Sequence, residues 1–451
     1  MEQSSNEKWN KKYKKLAREK WGPEFTLWKT MFSGLIDMMW TRSEEAGEPE
    51  DEPNPFVEMF LNYFIDVARA RSKGKPIIMH PFNYGPEIFH AMGLEPLFQE
   101  MFSVGLAPFH LNEHYLDISN QMGYGDNPTL CNAQRPLIGS IKEKAAPIPD
   151  LLFFSSTPCN SLATTYSVFH HLTKVPMYTI DIPYWSHDPN SKFYEPTTVE
   201  YLIKQLKRFI TWIEKQTQLK FDEDRFKQAM VWVNEARAHI MDFNELLRAV
   251  PCPVPSITGF GNFITMVTRG GTEVAVKVTK WARDMAAENV KNKVGAVPDE
   301  KIRIAWPYTH VFFDGELLTW LEQEYNAITI MDILGYYTVP PHDTSTLEKC
   351  FESLAKGTLD FSMIGTCRGP IDYYIDYVIR FVKDYKIDCV IFPMQFACKH
   401  AYAMATLTAE EIRKQTGLPT LVFGCDPYDS REVSAEEIRG KISYFLKEIV
   451  M

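Results

Sequence analysis

Short apolar runs alternate with helically spaced segments along most of this chain, and two of these alternations repeat a single layout. The first is PDLLFFSSTPCNSLATTYSVFHHLTKVPMYTID, Pro149 to Asp181; the second is IDCVIFPMQFACKHAYAMATLTAEEIRKQTGLPTLVFGCD, Ile387 to Asp426. Each reads as an apolar strand, a polar loop holding one cysteine, a helix, a proline and a second strand ending at an aspartate. Strand, helix and parallel strand place the loop after the first strand at the carboxyl edge of the sheet, where doubly wound sheets bind ligands. Cys159 and Cys398 therefore both occupy such an edge. If the two units face each other, the cysteines converge on one site.

The same patterning predicts four regions. Residues 1–74 are helical, interrupted by the acidic stretch SEEAGEPEDEP from Ser43 to Pro53, which reads as a solvated loop. A first α/β domain covers 75–196, opening on the strand KPIIMH. A helical connecting region covers 197–300, with Val231, Trp232 and Ala236 as core positions; within it PCPVPSITGFGNF, Pro251 to Phe263, holds too much proline and glycine for a helix interior. A second α/β domain covers 301–451, with strands at Ile302 and at Ala327 to Met331 and a helix from Ala435 to Val450. The fold class is thus α/β, two Rossmann/flavodoxin-like parallel-sheet lobes facing a cleft.

Composition removes several classes of function. The 451 residues are 45% hydrophobic, enough for two or three domains with full cores. A formal charge of −10 argues against nucleic acid, and no run of eighteen apolar residues spans a membrane. The basic segment KWNKKYKKLAREK, Lys8 to Lys20, reads first as a solvated helix face and second as a docking surface for an acidic partner or CoA phosphates. Eight widely spaced cysteines and no apolar leader point to the reducing cytoplasm. There is no GxxxxGK[ST] loop, no GxGxxG after a strand, no HExxH and no CxxC. If energy or reducing power is used, another chain must deliver it.

The cysteines remain. Cys131 follows the glycine-rich GYGDNPTL and opens CNAQRPLIG on the same lobe as Cys159. Three thiolates from separate loops suit an iron–sulfur cluster, because thiolate is a soft ligand that tolerates large chain separation. Three rather than four would leave one iron open to substrate or water. For a single cysteine the ordinary role is a small buried hydrophobe, and for the matched pair the two readings stand level. Cys252, Cys350, Cys367, Cys389 and Cys425 are assigned to the core.

Ordered motifs then carry a resemblance: PEIFHAMG at 86–93, CNAQRPLIG at 131–139, PDLLFFSSTPCN at 149–160, PMYTIDIPY at 176–184, ITGFGNFITM at 257–266, RGGTEVA at 269–275, IAWPY at 304–308, Cys398-Lys399, and LPTLVFGCD at 418–426. From about Lys75 onward the chain resembles the 2-hydroxyacyl-CoA dehydratases and the ATP-dependent class I benzoyl-CoA reductases. The resemblance implies a [4Fe–4S] cluster on Cys131, Cys159 and Cys398, a heterodimer with a homologous smaller cluster-binding subunit, an ATP-hydrolysing iron–sulfur activator, and an acyl-CoA substrate. The chemistry has its own logic. A β-proton of a thioester is hard to remove by acid–base means, whereas one electron into the carbonyl gives a ketyl that expels the α-hydroxyl and acidifies that proton.

Glu87, in the PE element, is the residue the resemblance favours for proton handling, with a helix N-terminal carboxylate as the competing role. Arg135 is a candidate for holding substrate or a cluster-side anion, with a salt bridge as its alternative, and His80 is a candidate beside a matched motif. His400 also lies beside a matched motif, and His110, His114, His170 and His171 are weaker acid–base candidates. Three departures leave the substrate open: IIMHPFNY where dehydratases usually have serines, Ala163-Thr164-Thr165-Tyr166 where the family favours Lys-Trp and an aromatic, and Asp429-Ser430-Arg431 for Asp-Pro-Arg. GFGNF, WPY and Cys-Lys place dehydration of an (R)-2-hydroxyacyl-CoA ahead of aromatic ring reduction. A cluster-bearing electron-transfer subunit without substrate, and a family member without a cluster, are the further alternatives.

Overall fold

Among the described residues eight short strands form two separate four-stranded sheets, and every pairing is parallel. The computed structural model describes residues 6–45, 53–125, 130–188 and 190–451. The first sheet holds β1 (Ile77–His80), β2 (Glu95–Phe98), β3 (Leu151–Ser155) and β4 (Met177–Ile180), in the order β2-β1-β3-β4. The second holds β5 (Ile302–Trp306), β6 (Ala327–Asp332), β7 (Cys389–Gln395) and β8 (Thr420–Cys425), in the order β6-β5-β7-β8. The repeat seen in sequence is thus a repeat of topology.

Strand composition follows from this arrangement. β1, β2, β3, β5 and β6 are buried along their whole length, as expected where helices cover both faces of a parallel sheet. β4 and β8 lie at sheet edges and are half-exposed. In each lobe the chain winds outward to one side after the first strand and to the other after the third. The reversal falls between β1 and β3 and between β5 and β7, and loops at such a switch point leave a crevice. Cys159 follows β3, and Cys398 follows β7.

Helices Asn6–Arg18, Thr26–Glu45 and Pro55–Arg69 precede the first sheet. Trp28 fastens them to it, packing its ring 4.6 Å from Phe64 and 5.4 Å from Phe102 and donating Nε1–H to the Phe64 carbonyl at 3.0 Å. The acidic stretch lies mostly at 46–52, outside the described residues. The lobes are tied at several points. The Arg431 guanidinium pairs with Asp117 at 2.9 Å, Asn112 donates to the Tyr428 carbonyl at 3.2 Å, and the Trp185 amide donates to the Arg368 carbonyl at 2.7 Å.

Two expectations for the connecting region need correction. Thr258–Arg269 is a helix that includes Gly259 and Gly261. The close approach here falls at Gly335, where a Cβ would lie 2.8 Å from the Gly259 carbonyl carbon and the Phe260 nitrogen, whereas a Cβ on Gly259 or Gly261 would make ordinary contacts at 3.4 and 3.5 Å. Val231 is 45% exposed; the buried stripe of helix Glu223–Leu246 runs through Met230, Val233, Arg237 and Ile240. Arg237 interrupts the apolar pattern from which that face was read.

Candidate active site

The four loops at the two switch points wall one cavity of about 70 Å³. Phe82 follows β1, Pro158 and Cys159 follow β3, Tyr308 and Thr309 follow β5, and Gln395 and Cys398 belong to the end of β7 and its loop. Cys131 completes the set, so all three cysteines singled out in the sequence border the same space. The lobes therefore do face each other. A hydrogen bond across the cleft joins them, from Gln395 Nε2 to Cys131 Sγ at 2.9 Å, while Gln395 Oε1 accepts from the Tyr308 hydroxyl at 2.9 Å.

Local structure explains why these positions suit thiolates. Cys159 caps helix Asn160–Thr173 and Cys398 caps helix Lys399–Thr416, so both lie at the positive end of a helix dipole. Cys398 Sγ accepts from the Ala401 amide at 3.5 Å, and Cys131 Sγ accepts from the Ala133 amide at 3.4 Å. The Cys131 amide donates to Ser161 Oγ at 2.7 Å, fixing its loop to the start of the helix that Cys159 caps. Burial raises the Cys131 thiol well above its ordinary range, with Cys398 and Cys159 adding repulsion. Burial likewise pushes Cys159 up to about 12, and Cys398 again adds to it. Cys131 and Cys159, raised by burial and by the neighbouring sulfurs, need a cation beside them to become thiolates.

Among the described residues no three His, Cys, Asp or Glu side chains form a group able to hold a metal ion. The cysteines surround a space instead of meeting at a point, which does not suit a mononuclear ion.

The other sequence candidates lie elsewhere. Glu87 is buried but is not among the residues lining this cavity. It opens the short helix Glu87–Ala91 and faces the Arg237 guanidinium at 3.8 Å; burial raises its pKa, and Arg237 partly opposes that. Gly271 of the RGG motif explains the fit: it has φ +81, and a Cβ there would sit 3.1 Å from the Glu87 Cα. Arg135 turns away to bond Asn132 Oδ1 at 2.6 Å, together with Asn120, and so braces the Cys131 loop. His80 is a core histidine, packed on Phe89 at 5.3 Å and held neutral by burial that lowers its pKa to about 3. His110 and His114 pair with Glu113 and Glu143 at the surface, whereas His400 does line the cavity.

Replacing Arg237 with leucine would leave Glu87 buried without its counter-charge. A loss of about 3 kcal/mol in unfolding free energy is expected, and the added change Glu87→Gln should recover part of it in a urea titration.

Sequence reasoning missed two residues. Cys367 lines the cavity as a fourth thiol, from the end of the short helix Ile364–Cys367. Glu100 is the one carboxyl in the described lining. Its oxygens accept from the Phe82 amide at 2.9 Å and from Gln134 Nε2 at 3.0 Å, yet burial outweighs both donors and raises its pKa to about 8.

Fold and site define a class of protein, a two-lobed parallel α/β chain that gathers buried thiols around one cavity between matching switch points. The chain belongs to the 2-hydroxyglutaryl-CoA dehydratase D-component family, whose model matches residues 81–449. It is 21% identical over 388 residues to the (R)-phenyllactyl-CoA dehydratase alpha subunit of Clostridium sporogenes, covering 83% of this chain and 90% of that one. It is 21% identical over 397 residues to lactoyl-CoA dehydratase subunit alpha of Anaerotignum propionicum, covering 84% and 91%. It is also 21% identical over 322 residues to a subunit of the benzoyl-CoA reductase of Thauera aromatica, covering 67% and 71%. Those relatives are dehydratase subunits and a reductase subunit, and this chain is an enzyme subunit of their family. No helix among the described residues is long and apolar enough to cross a membrane.

Proposed function

We propose that this chain is the iron–sulfur subunit of an ATP-dependent radical acyl-CoA enzyme that dehydrates an (R)-2-hydroxyacyl-CoA. The observation that supports this most is the set of three thiols from three loops bordering one enclosed space. The donor set fits a [4Fe–4S] cluster held by Cys131, Cys159 and Cys398, since soft thiolates with helix N-termini behind two of them match that cofactor and not a hard cation. When bound, the cluster would supply one-electron chemistry and a Lewis-acidic position for substrate oxygen.

The protein's own groups do the rest. Tyr308 and Gln395 fix the Cys131 sulfur. Glu100, protonated at neutral pH, holds a proton at the wall where a hydroxyl would leave. Phe82, Phe98 and Phe263 exclude water. A homologous smaller subunit and an ATP-hydrolysing iron–sulfur activator complete the system, which accords with a sequence lacking a phosphate-binding loop.

Gln395→Leu tests the sulfur contact. Iron content is expected to be retained, the reduction potential to fall, and turnover to drop about 10- to 100-fold. The reaction type is tested with the assembled complex, activator and ATP. Dehydration consumes no net reductant per product, whereas ring reduction of an aromatic acyl-CoA consumes two electrons, and measurement of two electrons per turnover would replace the first reading with the second.

A further inference from the structure

Beside the cysteine cavity lies a second, larger one of about 320 Å³ between the N-terminal helices, helix Thr258–Arg269 and the loop after β5. The two share Val104, Phe260 and Phe312 as a common wall, so the second space lies immediately behind these three side chains as seen from the cysteines. Its lining is mostly apolar, including Met38, Phe56, Ile264 and Trp281.

Among the described residues no lysine or arginine lines either cavity. The acidic groups there are Glu100 in the first and Asp314 in the second, and Asp314 is already engaged by Arg439 at 2.7 Å. Of the lining histidines, His310 already faces Asp332 at 3.2 Å and burial lowers the pKa of His400, so among the described lining a carboxylate on the substrate's acyl chain would meet acids and no free cation, which is unfavourable. A bulky hydrocarbon would fill the same space with gain. An apolar cavity of about 150 Å³ is large enough for benzene, so the larger one has room for an aryl or branched alkyl group.

We infer that the acyl substituent of this enzyme's thioester substrate is uncharged, apolar and bulky, and that it lies in the paired cavities divided by Val104, Phe260 and Phe312. This rests on the acyl-CoA reading above, and it excludes a dicarboxylic acyl group.

Unreactive saturated thioesters test it by calorimetry on the cluster-loaded complex, with 3-phenylpropionyl-CoA, propionyl-CoA, glutaryl-CoA and CoA itself as probes. The phenylpropionyl ester is expected to bind at least about 100-fold more tightly than the glutaryl ester and about 10-fold more tightly than the propionyl ester. Turnover of the matching (R)-2-hydroxy esters should follow the same order. Glutaryl-CoA binding as well as phenylpropionyl-CoA, or propionyl-CoA binding equally, would overturn the inference while leaving the acyl-CoA reading standing. No ester binding better than CoA alone would overturn both.

Discussion

Cys398→Ser is expected to strip the iron from this chain and reduce turnover by well over 100-fold, whereas Cys367→Ser should leave both nearly intact. The two thiols line one cavity and differ in setting. Cys398 caps an eighteen-residue helix and accepts the Ala401 amide, so an N–H donor and the positive end of a helix dipole stand behind its sulfur. Cys367 ends a four-residue helix, has the Thr366 hydroxyl at 3.8 Å, and is pushed up by burial to about 12. Iron analysis and turnover of the complex purified without oxygen distinguish them. Equal iron loss in both variants would mean a closed four-thiolate site, and no position for substrate oxygen.

The second large effect concerns Glu100 and pH. Its folded pKa of about 8 lies above the ordinary 4.5. Between those values the folded chain holds a proton that the unfolded chain has lost, so stability falls as pH rises through the window. Glu100→Gln removes that dependence. The variant is expected to match the parent near pH 4 and to exceed it by up to about 5 kcal/mol at pH 9, read from urea unfolding at both values. Turnover should fall in the same variant, since the wall loses its proton donor. An unchanged pH slope would mean that Glu100 is solvated and cannot hold its proton at neutral pH.

Much of this arrangement was legible in the sequence because it depends on periodicity. Strand-length apolar runs, a cysteine just beyond β3 and β7, and a helix after each are local features, and parallel topology converts them into a shared edge. What local pattern does not carry is the direction of a side chain at a helix start. Glu87 stood in a matched motif beside the first strand, yet its helix aims it at Arg237, a buried arginine in a helix that otherwise reads as ordinary and amphipathic. Glu100 gave no signal, because PLFQE reads as the end of a strand and its importance depends on a contact with Gln134, 34 residues away. Gly259 and Gly261 misled because glycine lowers helix propensity without forbidding a helix, and the buried face of Thr258–Arg269 outweighs that cost.

The central claim is that Cys131, Cys159 and Cys398 hold an iron–sulfur cluster in their shared cavity, and the most direct measurement is iron and acid-labile sulfide, with an EPR spectrum, on the complex purified without oxygen. The wild-type chain is expected to carry about four irons that the Cys131, Cys159 and Cys398 triple serine variant lacks. A wild-type chain that is free of iron when produced with its partner would contradict the account and leave a two-lobed acyl-CoA-binding protein in its place.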